Sequence, residues 1–146
     1  MPTTATASDR QADRRVRTKR AARGRLALLA LGGASMIAGL DAGLVRLEVW
    51  APVPSQRAGD VHGLLMVLGF LGTLIALERA QALGSRWAYL APALLGVGAL
   101  ALLTPAPLLL GQLLLAAGWA LFVAAYVALW RRSPRPLVAV QVMSAV

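Results

Sequence analysis

Asp60-Val61-His62-Gly63-Leu64-Leu65-Met66-Val67-Leu68-Gly69-Phe70-Leu71-Gly72-Thr73 is the stretch on which the reading of this chain turns. It starts at a polar boundary, Gly59-Asp60, and leads into an apolar run that meets no charge before Glu78-Arg79. A run approaching twenty residues is what an α-helix needs to cross the hydrocarbon core of a bilayer. Inside it lies the sole histidine of the protein, His62. Met66 follows four residues on, one helical turn away and on the same face. An imidazole and a thioether so placed form the candidate ligand pair of this chain.

Composition extends the membrane reading to the whole protein. Of its 146 residues 58% are hydrophobic and 14% charged, whereas a soluble domain is about half apolar and about a quarter charged. The apolar residues also fall in blocks of about twenty. The fold class that follows is all-α, a polytopic transmembrane helix bundle. The formal charge of +9 points first to nucleic acid, but eight of the fifteen bases precede Leu26. That placement suits the lipid bilayer as partner and argues against nucleic acid. With no cysteine, disulfides, zinc thiolates and iron–sulfur clusters are excluded.

Two regions follow. Residues 1–25 read as a basic, disordered cytoplasmic tail without apolar core. Residues 26–146 read as the transmembrane domain, with full spans at about 26–44, 61–77, 87–103 and 108–130. Gly32, Ser35, Gly39 and Gly43 recur along the first span at three- or four-residue steps and prepare a close helix contact. Pro52 and Pro54 interrupt the loop at 45–60, and Thr104-Pro105-Ala106-Pro107 makes a tight turn. Residues 137–146 are apolar but too short to cross, so they read as the truncated start of a fifth span and as the sign of a longer chain.

The bases also set an orientation. Thirteen of the fifteen lie in the tail and in the segments after the second and fourth spans, and two lie after the first. This asymmetry puts the N-terminus in the cytoplasm of a multi-pass protein of the cell inner (plasma) membrane. His62 is then near the outer face and Glu78 near the inner one, about 24 Å apart on a straight helix.

His62 opens a stripe with Met66, Gly69, Thr73 and Ala76, flanked by Leu65 and Phe70. One account of it is haem binding. A neutral imidazole is an axial ligand for haem iron, and Gly69 and Gly72 offer clearance for a flat macrocycle. Imidazole with thioether also suits copper, and a chlorophyll-type pigment takes a single histidine as its metal ligand. The other account is structural: His62 hydrogen-bonds a neighbouring helix, Met66 packs, and the glycines are packing notches.

His62-Gly63-Leu64-Leu65-Met66 resembles the H-G-x-x-M segment of haem–copper oxidase catalytic subunits, whose histidine ligates the low-spin haem. His62, Met66, Gly69 and Phe70 together resemble the H-x-H-E-M-x-F-G-F segment of the NnrS-like membrane proteins, associated with haem, copper and nitric-oxide metabolism. That family's second histidine falls on Leu64 here and its glutamate on Leu65. The resemblance implies a haem-binding, redox-linked membrane protein, with haem b or copper at His62 and with Met66, Gly69 and Phe70 at the cofactor. The alternative is a non-enzymatic accessory or assembly subunit of a larger respiratory or photosynthetic complex, in which His62 is structural or holds a pigment. Its partners are other membrane subunits or the remainder of a longer chain.

Other polar residues read chiefly as interfacial or packing groups. Asp41 is expected to pair with a base such as Arg46, Glu78-Arg79 to stop the second span, and Gln112 and Trp119 to serve helix contacts. No phosphate-binding glycine loop, H-E-x-x-H or G-x-S-x-G occurs. No catalytic residue is assigned, and whether the chain is an enzyme is left open.

Overall fold

The computed structural model describes residues 7–52 and 56–132. Among the described residues all regular structure is helical, and strands are absent. Three helices are long and apolar enough to cross a membrane: Thr18–Arg46, Arg57–Leu83 and Leu108–Arg132.

The first helix, α1 (Ala7–Arg46), has 40 residues. At about 1.5 Å per residue it is about 60 Å long, twice the hydrocarbon thickness. The disorder expected for residues 1–25 therefore gives way to helix from Ala7 onward. Nucleation is the costly step in helix formation, so a span already helical extends at little cost into a segment rich in Ala, Arg, Lys and Gln. α1 ends in a Schellman arrangement, in which the Val49 N–H donates to the Leu44 carbonyl and the Glu48 N–H to the Val45 carbonyl, both at 3.1 Å. The left-handed position of this cap is taken by Glu48, with φ 56.

The second span is a single helical rod in three parts, α2 (Gln56–Leu64), a π-helical segment (Leu65–Gly72) and α3 (Thr73–Leu83). It is longer than the expected 61–77. The helix continues through Glu78 and Arg79, which form a 2.8 Å ion pair. Gly84 ends it instead: its φ of +65 is open to glycine at no steric cost, and its N–H donates to the Ala80 carbonyl.

A short 3-10 turn (Trp87–Tyr89) leads into α4 (Leu90–Ala101). Together they rise about 24 Å, so the span expected at 87–103 is a shorter apolar helix than its neighbours. Pro92 sits in the first turn of α4, where its missing N–H costs nothing. α5 (Leu108–Arg132) lies against α4 with backbones in near contact. A methyl group on Gly118 would stand 2.9 Å from the Leu95 nitrogen, and one on Gly98 3.0 Å from the Leu115 nitrogen. The expected fifth span at 137–146 lies outside the described residues.

Arginines fasten the rods at both ends. At one end Arg57 donates to the carbonyls of Thr104 (2.7 Å) and Ala106 (2.9 Å). At the other, Arg132 donates to the Leu83 carbonyl at 2.6 Å, and the Arg79 guanidinium stands 5.6 Å from the Tyr126 ring centroid. Tyr126 continues an aromatic ladder of Trp119, Phe122 and Tyr126, with centroids 5.0 and 4.8 Å apart. The rod 57–83 is the most enclosed of the three, with 39% of its apolar window buried against 22% for α1 and 28% for α5. It is the hub on which the others pack.

The cap at Glu48 is testable. A side chain in the left-handed region costs about 1 kcal/mol, so Glu48→Gly is expected to stabilise the detergent-solubilised protein by up to about that amount, read as a higher melting temperature.

Candidate functional site

The site follows from how α1 meets the rod 56–83. The two run antiparallel, and small residues set their spacing. A methyl group built on Gly32 would meet the Leu74 side chain at 3.4 Å, one on Gly39 the Met66 sulfur at 2.6 Å, and one on Gly43 the His62 ring at 3.2 Å. Ser35 lies in the same row and faces Gly69, on which a methyl would stand 3.0 Å from Ser35 Cβ. The Gly32, Ser35, Gly39, Gly43 row thus receives Thr73 and Leu74, Gly69, Met66 and His62 in reverse order. In lipid there is no hydrophobic drive between helices, and such rows hold by close van der Waals contact and interhelical hydrogen bonds.

His62 supplies that hydrogen bond. Its Nδ1 lies 2.8 Å from the Gly39 carbonyl oxygen. A carbonyl only accepts, so Nδ1 carries the proton, and in the neutral ring Nε2 is then the lone-pair nitrogen. The half-buried ring also lines a cleft of about 430 Å³ with Leu40, Gly43, Leu44, Arg46 and Leu47.

The four residues expected around a cofactor do not converge. His62 and Met66 both face α1. Gly69 is wedged between Ser35 of α1 and Ala99 of α4, and a methyl there would stand 2.5 Å from Ala99 Cβ. Gly72 faces Leu95 and the Val67 carbonyl. The clearance expected for a macrocycle is therefore filled by two neighbouring helices. Phe70 is half-buried one position round the rod from Gly69, away from the His62 cleft. Among the described residues no group of three or more His, Cys, Asp or Glu could hold a metal ion.

Other residues singled out by sequence fall elsewhere. Gln112 and Trp119 share a cleft of about 350 Å³ with Leu64, Leu68, Leu115 and Ala116. Asp41 lines a groove on α1, and Arg46 lines the His62 cleft. Thr73, which belongs to the His62 stripe, follows directly on the π-helical segment. It is fully buried and its hydroxyl has no hydrogen-bond partner. A π turn is rare and disturbs the i−4 pattern a threonine normally uses. No sequence signal marks that break.

The fold and this interface define an all-helical protein with three helices long and apolar enough to cross a membrane, whose histidine is engaged in helix packing. Within that class, residues 25–146 match the family model described as a domain of unknown function (DUF8744), and the chain belongs to that family. Neither a curated protein nor a solved structure matches the chain.

Two substitutions test the packing. Gly69→Ala places a methyl against the Ala99 and Ser35 side chains and is expected to cost about 2 kcal/mol. Gly63→Ala, where nothing lies within 4 Å, is expected to be neutral or stabilising by about 0.5 kcal/mol. Unfolding titrations in mixed detergent micelles give both values. Thr73→Val removes a buried hydroxyl that has no partner and is expected to stabilise by about 1 kcal/mol in the same assay.

Proposed function

We propose that this chain is a non-enzymatic helical subunit of the cell inner (plasma) membrane. It crosses four times with its N-terminus in the cytoplasm and packs on lipid and on other membrane subunits. The observation that carries this reading is the His62 imidazole spent on the Gly39 carbonyl inside a glycine row. One hydrogen bond of this kind is worth about 0.6–1 kcal/mol between membrane helices, enough to fix register.

The crossing by α4 is supported by where its neighbours end. Leu83 and Arg132 share one end of the bundle, and Arg57 and Thr104 share the other. α4 runs from just after Leu83 to just before Thr104, so it links opposite ends. The base distribution supports the cytoplasmic N-terminus. The chain has no cysteine, so single cysteines report topology without background. Thr104→Cys is expected to react with a membrane-impermeant maleimide added outside intact cells, and Ser85→Cys only after lysis.

A redox-linked haem protein is the rival reading. One observation favours it: with its proton on Nδ1 and held by a backbone carbonyl, His62 keeps Nε2 as a lone-pair donor, the arrangement common in ligand histidines. The rest of the set does not fit haem b, copper or a chlorin, because Met66 is turned into the Gly39 notch and Gly69 is covered. The two readings separate in one preparation. The structural one predicts a protein without visible absorbance, in which His62→Ala lowers stability by about 1 kcal/mol and His62→Asn recovers part of the loss. A reduced-minus-oxidised haem spectrum that vanishes in His62→Ala would falsify it.

A further inference from the structure

We propose that two copies of this chain pair through the exposed face of α5, with their Gln112 side-chain amides hydrogen-bonded to each other at the centre of the contact. The inference rests on the membrane reading above and names one of the subunits that reading calls for.

Gln112 is a polar group without a partner in a place that demands one. It is exposed on α5 and makes no hydrogen bond among the described residues. It lines the cleft of about 350 Å³ between α5 and the rod, beside Leu64 and Leu68. The apolar rod Arg57–Leu83 has 27 residues, so it is about 40 Å long and overhangs a hydrocarbon core of about 30 Å by about 5 Å at each end. Leu64 is about 10 Å in from Arg57, which places Gln112 about 5 Å inside the hydrocarbon. An amide in that medium is costly until it is hydrogen-bonded. The helix contact expected of Gln112 from sequence is therefore not made within the described part of the chain.

The chemistry selects a second copy. A carboxamide carries two N–H donors and an oxygen with two acceptor positions, so it is its own complement. About a two-fold axis each amide donates to the carbonyl oxygen of the other, and no charge is buried. In a two-fold contact one patch must present both the projections and the hollows. Here Leu109 and Leu113, 62% and 58% exposed, stand out beside Gln112. Ala116, one turn further on, borders the cleft, and Ala120 is exposed one turn beyond that. Alanines at such spacing let membrane helices come close enough for an amide to reach across. From Leu108 to Trp130 the helix bears no charged residue, so two such faces do not repel each other.

The test uses the full chain, which has no native cysteine, in the membranes of cells that express it. On oxidation with copper phenanthroline, Ala116→Cys is expected to form a disulfide-linked dimer. Val97→Cys, 47% exposed on α4, is expected to stay monomeric. The strength of pairing is read by energy transfer between donor- and acceptor-labelled Ser85→Cys copies as phosphatidylcholine dilutes them in vesicles. Gln112→Leu is expected to weaken pairing about 10-fold, the equivalent of about 1.4 kcal/mol, and Gln112→Asn to retain most of it. Ala116→Cys chains that stay monomeric, or that cross-link to a different protein instead, overturn the proposal. A dilution curve left unchanged by Gln112→Leu does the same. Outside labelling of Thr104→Cys separates this outcome from the membrane reading: chains that label there and yet stay apart remove the dimer alone.

Discussion

The close approach of α1 to the rod 56–83 is the contact on which the bundle depends. Lipid tails are as apolar as leucine, so burying leucine between membrane helices gains little over leaving it in lipid. What holds is atomic fit and the odd hydrogen bond. The Gly32, Ser35, Gly39, Gly43 row supplies the fit, and His62 supplies the bond to Gly39. Ala99 and Leu95 of α4 then close on Gly69 and Gly72 from the other side, and α5 closes on α4 through Gly98, Gly111 and Gly118. Each layer is set by the absence of a side chain in the one before it.

This arrangement changes what His62 and Met66 are for. On a bare helix they are an imidazole and a thioether facing one way, a fair start for a metal site. In the bundle that way is toward another helix. The carbonyl of Gly39 accepts a hydrogen bond from the imidazole, and the missing side chain at the same residue makes room for the methionine sulfur. One residue of α1 therefore accounts for both members of the pair.

Polar chemistry is pushed to the ends of the bundle and to an outer side of α1. Arginines 57, 79 and 132 work as fasteners on carbonyls, a carboxylate and an aromatic ring, where their charges stay close to water. Two polar groups stand apart from that pattern. Thr73 carries a buried hydroxyl beside the π-helical segment, and Asp41 carries a carboxylate into an apolar groove. The first is a cost to the fold.

Sequence alone determined that this chain forms helices long and apolar enough to cross a membrane, because block length and apolar content are set against bilayer thickness and not against neighbours. It also marked the small-residue row of α1 and the turn at 104–107, which are local features. It gave the extent of the apolar span but not of the helix: the charges Glu78-Arg79 close the apolar run, and the helix itself continues to Gly84, where backbone geometry ends it. It read residues 7–25 as disordered because their composition lacks a core, although a helix already nucleated needs none to continue. Only the tertiary structure decided what the His62 face meets. A helical stripe specifies which side chains point together but not what stands opposite, and here a second helix stands there, because glycines far away in the chain let it come close.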